Sequence, residues 1–187
     1  MFSRTVCWRL GALLTSLLCL AGPAVRGAEA PTSKEYQLKA VYLFNFTKYV
    51  EWPEQRFSDR QSPIIIGVLG HNPFGGELRE IVRDRTINGR PLLVRLITTA
   101  EQAQKVHVLF VPAGEEARPE YAETRTLHLA LLTAGESVSF SAGGGMITFT
   151  HAADRLRFTI NLESADRAGL KLSAQLLKLA TMVHPRP

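Results

Sequence analysis

The chain has 187 residues, a formal net charge of +5 and two cysteines. Three of its 22 Lys and Arg and both cysteines fall within the first 27 residues, and without them about 160 residues carry 19 basic against 17 acidic side chains. A near-neutral domain with no run of Lys or Arg offers little to nucleic acid or anionic lipid, and one without thiols cannot build a disulfide framework. It is long enough to bury a single core without such staples.

The first residues read as an export signal. Arg4 and Arg9 give a positive start, residues 10–21 form an apolar run, and the small Val25 and Gly27 stand where signal peptidase needs them. This predicts cleavage after Gly27 and a domain over 28–187 that works outside the cytoplasm. The apolar run spans about 18 Å at ~1.5 Å per residue, too short to cross a hydrocarbon core roughly 30 Å thick. Leu18 is too bulky to precede a lipidated Cys19.

Thr32 and Glu35 have capping-box spacing, and Tyr36, Ala40, Leu43, Thr47 and Val50 recur at helical intervals up to Pro53, predicting an amphipathic helix. A polar linker over 54–62 leads to residues 64–69, an unbroken apolar run typical of a strand covered on both faces. Residues 70–73 predict a turn, 74–82 a helix and 92–97 a second strand beyond the turn at Asn88 and Gly89. Thr99 and Gln102 predict a capped short helix, 106–111 a third strand, 118–128 a helix and 129–133 a further strand. Residues 146–150 and 156–160 alternate apolar with polar around a turn at 152–154, the pattern of an antiparallel hairpin. From 162 to 182 helical spacing returns, with Leu170, Ala174 and Leu177 on one stripe and Leu172, Leu176, Leu179 and Val183 on the next, which predicts one broad-faced helix. The order predicts a single α/β domain: a mostly parallel mixed sheet flanked by helices, with a C-terminal β-hairpin and terminal helices.

Chemical motifs are sparse. No Gly-x-Ser-x-Gly nucleophile elbow occurs, and His71, His107, His128, His151 and His184 lack metal-ligand spacing, so no catalytic residue, metal or cofactor is expected. His107, between Val106 and Val108, reads as a hydrogen-bonded core residue. Gly143, Gly144 and Gly145 precede a strand-like segment rather than the Lys and Ser or Thr of a phosphate loop, so they predict a tight turn. The loop at 70–75 follows the carboxyl end of the first parallel strand, where open sheets bind ligands, but it also suits an ordinary strand-to-helix turn. Phe46, Tyr49 and Trp52 gather aromatic surface before Pro53. Asn161, Glu163, Asp166, Arg167 and Lys171 gather polar groups around the start of the last helix. The candidates for contacting a partner or ligand are Trp52, Phe74, Glu163, Arg167 and Lys171.

Six segments together resemble the YfiR family of periplasmic proteins, which includes HmsC. They are KAVYLFNFTKYVEWP at 39–53, IIIGVLGHNPFG at 64–75, INGRPLLV at 87–94, VHVLFVP at 106–112, LLTAGESVSFSAGGGMITF at 131–149 and RLRFTINLESADRAGLKLSAQLLKLA at 155–180. The resemblance implies an α/β domain that often forms homodimers and has no established enzymatic activity. It also implies a role in holding a YfiN-type inner-membrane diguanylate cyclase inactive from the periplasmic side, which lowers cyclic di-GMP and biofilm formation. Relatives with cysteines can use disulfides for stability or redox sensing, whereas Val106-His107-Val108 stands where relatives often carry Cys, so the processed form has no thiol switch. Two other readings stay open: a small-molecule sensor whose pocket is lined by 71–75 and the hairpin side, and an enzyme of a type without a sequence motif.

Overall fold

A strand can be apolar at every position only if both faces of its sheet are covered, and Ile64–Leu69 is buried throughout. The computed structural model describes residues 33–127 and 129–184. The leader with its cleavage site and both cysteines, the capping position Thr32 and His128 lie outside the described residues. The elements begin with α1 (Ser33–Phe46), β1 (Val50–Glu51), β2 (Ile64–Leu69), α2 (Glu77–Val82), β3 (Thr86–Ile87), β4 (Arg90–Ile97), α3 (Ala100–Ala103) and β5 (Val108–Val111). They continue with α4 (Pro119–Thr126), β6 (Leu132–Gly135), α5 (Val138–Ala142), β7 (Ile147–Ala152), β8 (Arg155–Asn161), α6 (Leu162–Arg167), β9 (Lys171–Leu172), α7 (Ala174–Leu179) and β10 (Met182–His184).

Eight strands form one mixed sheet in the order β10-β8-β7-β6-β5-β2-β4-β3. Strands β2, β4, β5, β6 and β7 run parallel, while β3 and β8 run antiparallel to β4 and β7. The chain leaves β2 in one direction to reach β4, then crosses back past β2 to reach β5. Because strand-helix-strand crossovers are right-handed, that reversal puts α2 on one face and α3, α4 and α5 on the other. Alternate residues of β2 record the result. Ile64, Ile66 and Val68 pack with Leu43 of α1 and Leu78 of α2, whereas Ile65 and Leu69 pack with Ala103, Tyr121 and Phe140. The expected single α/β domain is the one observed.

The strand expected over 129–133 runs instead over Leu132–Gly135, α5 and β3 were not expected, and two expected elements differ in kind. The first helix stops at Phe46: the amides of Lys48 and Tyr49 close turns onto the carbonyls of Asn45 and Phe46, and Val50 then pairs with Leu172 of β9. Val50 is buried in a strand just as it would be in a helix, so its apolar character could not decide between them.

The single helix expected over 162–182 is four elements. Asn161 Oδ1 caps α6 by accepting from the Ser164 amide at 3.0 Å. Gly169, at φ +68°, turns the chain out of that helix, and β9 pairs with β1. Ser173 Oγ then caps α7, and β10 returns to the sheet beside β8. Leucine spacing is the same in one long helix and two short ones; a distant strand makes the break.

Candidate functional site

In a doubly wound sheet the natural ligand crevice lies at the carboxyl ends of the strands where their order reverses, here between β2 and β5. The loop after β2 and the 3-10 turn Glu115–Ala117 after β5 meet at this point. Glu115 Oε1 lies 2.9 Å from His71 Nδ1, and Oε2 accepts from Arg118 Nη1 at 3.1 Å. Gly70 makes this possible, since it has φ +66° and a Cβ built on it would stand 1.8 Å from Glu115 Oε2. Within the loop, Asn72 Oδ1 accepts from the Phe74 amide at 3.0 Å and Nδ2 donates to the Gly75 carbonyl at 2.8 Å. The protein's own carboxylate thus lies against the loop that an open sheet would offer to a ligand.

Beside it, the carboxylate of Glu136 at the end of β6 is paired with Lys39 of α1 and accepts from Tyr36 Oη at 3.0 Å and the Ala113 amide at 2.9 Å. Lys39 Nζ also reaches Glu35. Burial first, then the charge of Glu136, raises the Tyr36 hydroxyl above its ordinary range. This network joins α1 to the exits of β5 and β6, and its geometry is that of a clamp. The sequence carried one trace of it, a lysine next to the apolar stripe of the first helix.

A second cluster sits at the amino ends of β2 and β5. The Ile65 amide donates to His107 Nδ1 at 3.1 Å, which puts the neutral ring's proton on Nε2, buried and without a partner among the described residues. Phe57 stacks on the imidazole at 4.6 Å between centroids, and the Arg90 guanidinium lies 3.7 Å over Phe57. Trp52 meets the imidazole edge-on, and its Nε1 donates to the His107 carbonyl at 3.2 Å. Burial, aided by the nearby Arg56 charge, lowers the His107 pKa to about 4. His107 is therefore neutral at pH 7 and serves as a backbone acceptor, as its apolar flanks suggested.

The expected contact residues fall into three places. Trp52 is half-buried just after β1, and the exposed Lys171 is opposite Glu51 in the β1–β9 ribbon, so these two share one end of the molecule. Glu163 and Arg167 pair at 3.1 Å on the outer side of α6, with side chains 46% and 61% exposed. Phe74 belongs to neither group. It is 2% exposed, edge-on to Tyr36 at 5.4 Å and to Phe110 at 4.8 Å, which corrects the expectation of a surface anchor: the side chain is core. Sequence reasoning offered no signal for Glu115 or Glu136, whose partners His71 and Lys39 come from distant elements.

Among solved structures, the chain is similar to a conserved domain protein from Vibrio cholerae, with 12% identity over 80% of this chain and a TM-score of 0.47. It spans about 60% of that protein's chain. The family model described as YfiR/HmsC-like matches residues 36–181, from the first turn of α1 to the threshold of β10. With nearly the whole described domain inside that match, the protein belongs to the YfiR/HmsC-like family.

Proposed function

We propose that this protein is a periplasmic repressor of a YfiN-type membrane diguanylate cyclase, binding the cyclase's periplasmic domain and favouring its inactive state. Cyclic di-GMP falls as a result, and biofilm formation with it. The observation that carries the reading is the family match over residues 36–181, because the YfiR/HmsC-like family is one of periplasmic, non-catalytic regulators of cyclic di-GMP signalling. The export signal read in residues 1–27 supports the compartment, and among the described residues no helix is long and apolar enough to cross a membrane. In this reading the protein acts as a homodimer, needs no cofactor and performs no catalysis.

Repression of this kind is differential binding. Moving the cyclase from 99:1 active to 99:1 inactive requires about 5.5 kcal/mol of preference for the inactive form. Trp52 and Lys171 at the β1–β9 ribbon supply an aromatic edge and a cation for such a contact, and the Glu163–Arg167 pair adds a charged patch on α6. The test is the affinity of the purified protein for the cyclase's periplasmic domain. Trp52→Ala and Lys171→Glu should each weaken it about tenfold with circular dichroism unchanged, and a combined Glu163→Lys, Arg167→Glu variant should lower it by salt-dependent steps. Wild-type affinity in all three variants would refute this surface, and no binding by the wild-type protein would refute the function.

A further inference from the structure

A cavity of about 300 Å³ opens beside the amino ends of β6 and β7, between α4 and α6, at the opposite strand ends from the clamp. Leu129, Leu131, Met146 and Ala168 give it apolar lining, and Arg125, Arg167 and Ser164 are among its polar lining. The polar groups converge on one point. A Cβ built on Gly144 would lie 3.6 Å from Ser164 Oγ, 3.7 Å from Arg125 Nη2 and 3.8 Å from Arg167 Nη2. Gly144 has φ +86°, a conformation that L side chains rarely adopt, so both guanidinium groups and the Ser164 hydroxyl gather beside its bare Cα at the wall of the cavity.

Two cations facing one space repel each other, and the repulsion grows as water is displaced. Arg167 is compensated on its outer side by Glu163 at 3.1 Å, and its Nη2 donates to Ser164 Oγ at 3.1 Å. Arg125 lies over the Tyr121 ring at 5.9 Å from the centroid. An oxygen anion held between them would relieve the repulsion and accept charge-assisted hydrogen bonds from both forks, for which guanidinium geometry is suited. The apolar lining would take the non-polar part of the same molecule.

We propose that this cavity binds a small oxyanion-bearing ligand, a carboxylate or a phosphate ester, with its head between Arg125 and Arg167 and its apolar body on Leu129, Leu131 and Met146. The inference does not rest on the cyclase reading; Arg167 serves in both, and Arg125, which the α6 patch does not include, separates them. Either can fail while the other holds.

The test is titration of the processed protein with inorganic phosphate, acetate and hexanoate, followed by NMR at the Gly144 amide and the two guanidinium groups. Saturable shifts with at least one probe are expected, weakened about tenfold by Arg125→Gln or Arg167→Gln and abolished by both together, with the melting temperature unchanged. Hexanoate binding more tightly than acetate would identify a carboxylate with an apolar body, and phosphate binding most tightly would identify a phosphoryl head; both results support the site. Absence of shifts at these groups with all three probes, or wild-type binding in the double variant, would overturn it.

Discussion

Lys39 and Glu136, 97 positions apart, form an ion pair whose side chains are only 3% and 7% exposed. Breaking a buried pair by removing one partner leaves the other charge uncompensated, which costs about 3–5 kcal/mol. Lys39→Met should lower the stability measured by urea unfolding at pH 7 by about 3 kcal/mol. Adding Glu136→Gln should restore part of that loss, because a neutral amide tolerates burial better. A Lys39→Met protein as stable as wild type would show that the clamp does not hold α1 to the sheet.

His107 links stability to pH. Its folded pKa, about 4, lies below the ordinary 6.5, so between those values the unfolded chain binds more protons than the folded one. The associated stability is fully present above about pH 6.5 and is lost as pH falls toward 4, in total about 3 kcal/mol at ~1.4 kcal/mol per pKa unit. His107→Gln keeps an acceptor for the Ile65 amide and removes the titration. Its unfolding free energy should therefore change less over pH 4–6.5 than that of the wild type; equal slopes would assign the acid sensitivity to other groups.

Gly70→Ala tests the closed crevice. The substitution puts a side chain at positive φ and into the space of the Glu115 carboxylate, and a loss of roughly 1–3 kcal/mol is expected from thermal or urea unfolding. In a Glu115→Ala background the steric part disappears and only the backbone strain remains, so the same change should cost less. Equal losses in both backgrounds would mean that Glu115 does not press on Gly70.

Phe74→Ala distinguishes core from surface. Removing this buried ring should destabilise the domain by about 3–5 kcal/mol. Cyclase binding should then fall only with the fraction unfolded, unlike the effect expected of Trp52→Ala. A Phe74→Ala protein that is fully stable yet deficient in binding would return the residue to the partner surface.

The sequence exposed those parts of the fold that local pattern determines. Residues 64–69 read as a doubly covered strand, the Thr99 cap set a helix start, and the hairpin turned where Ala153 and Asp154 take positive φ. It failed where long-range pairing chose between locally equivalent states. Val50 became a strand because Leu172 lay opposite, and the helix after Leu162 broke because β9 and β10 found partners in β1 and β8. The same reason hid the clamp and the Arg125–Arg167 cavity, since Lys39 needs Glu136 and Arg125 needs α6 before either has a role. Arg167 is legible as one of the polar groups around the last helical segment, but its neighbours on α4 are not written in that segment.

The most direct test of repression from the periplasm is the cyclic di-GMP content of the native host after the gene is deleted and then restored in two forms. Deletion should raise cyclic di-GMP, the full chain should bring it back down, and a chain lacking residues 1–27 should have no effect. Unchanged cyclic di-GMP on deletion, or equal rescue by the leaderless chain, would contradict the account.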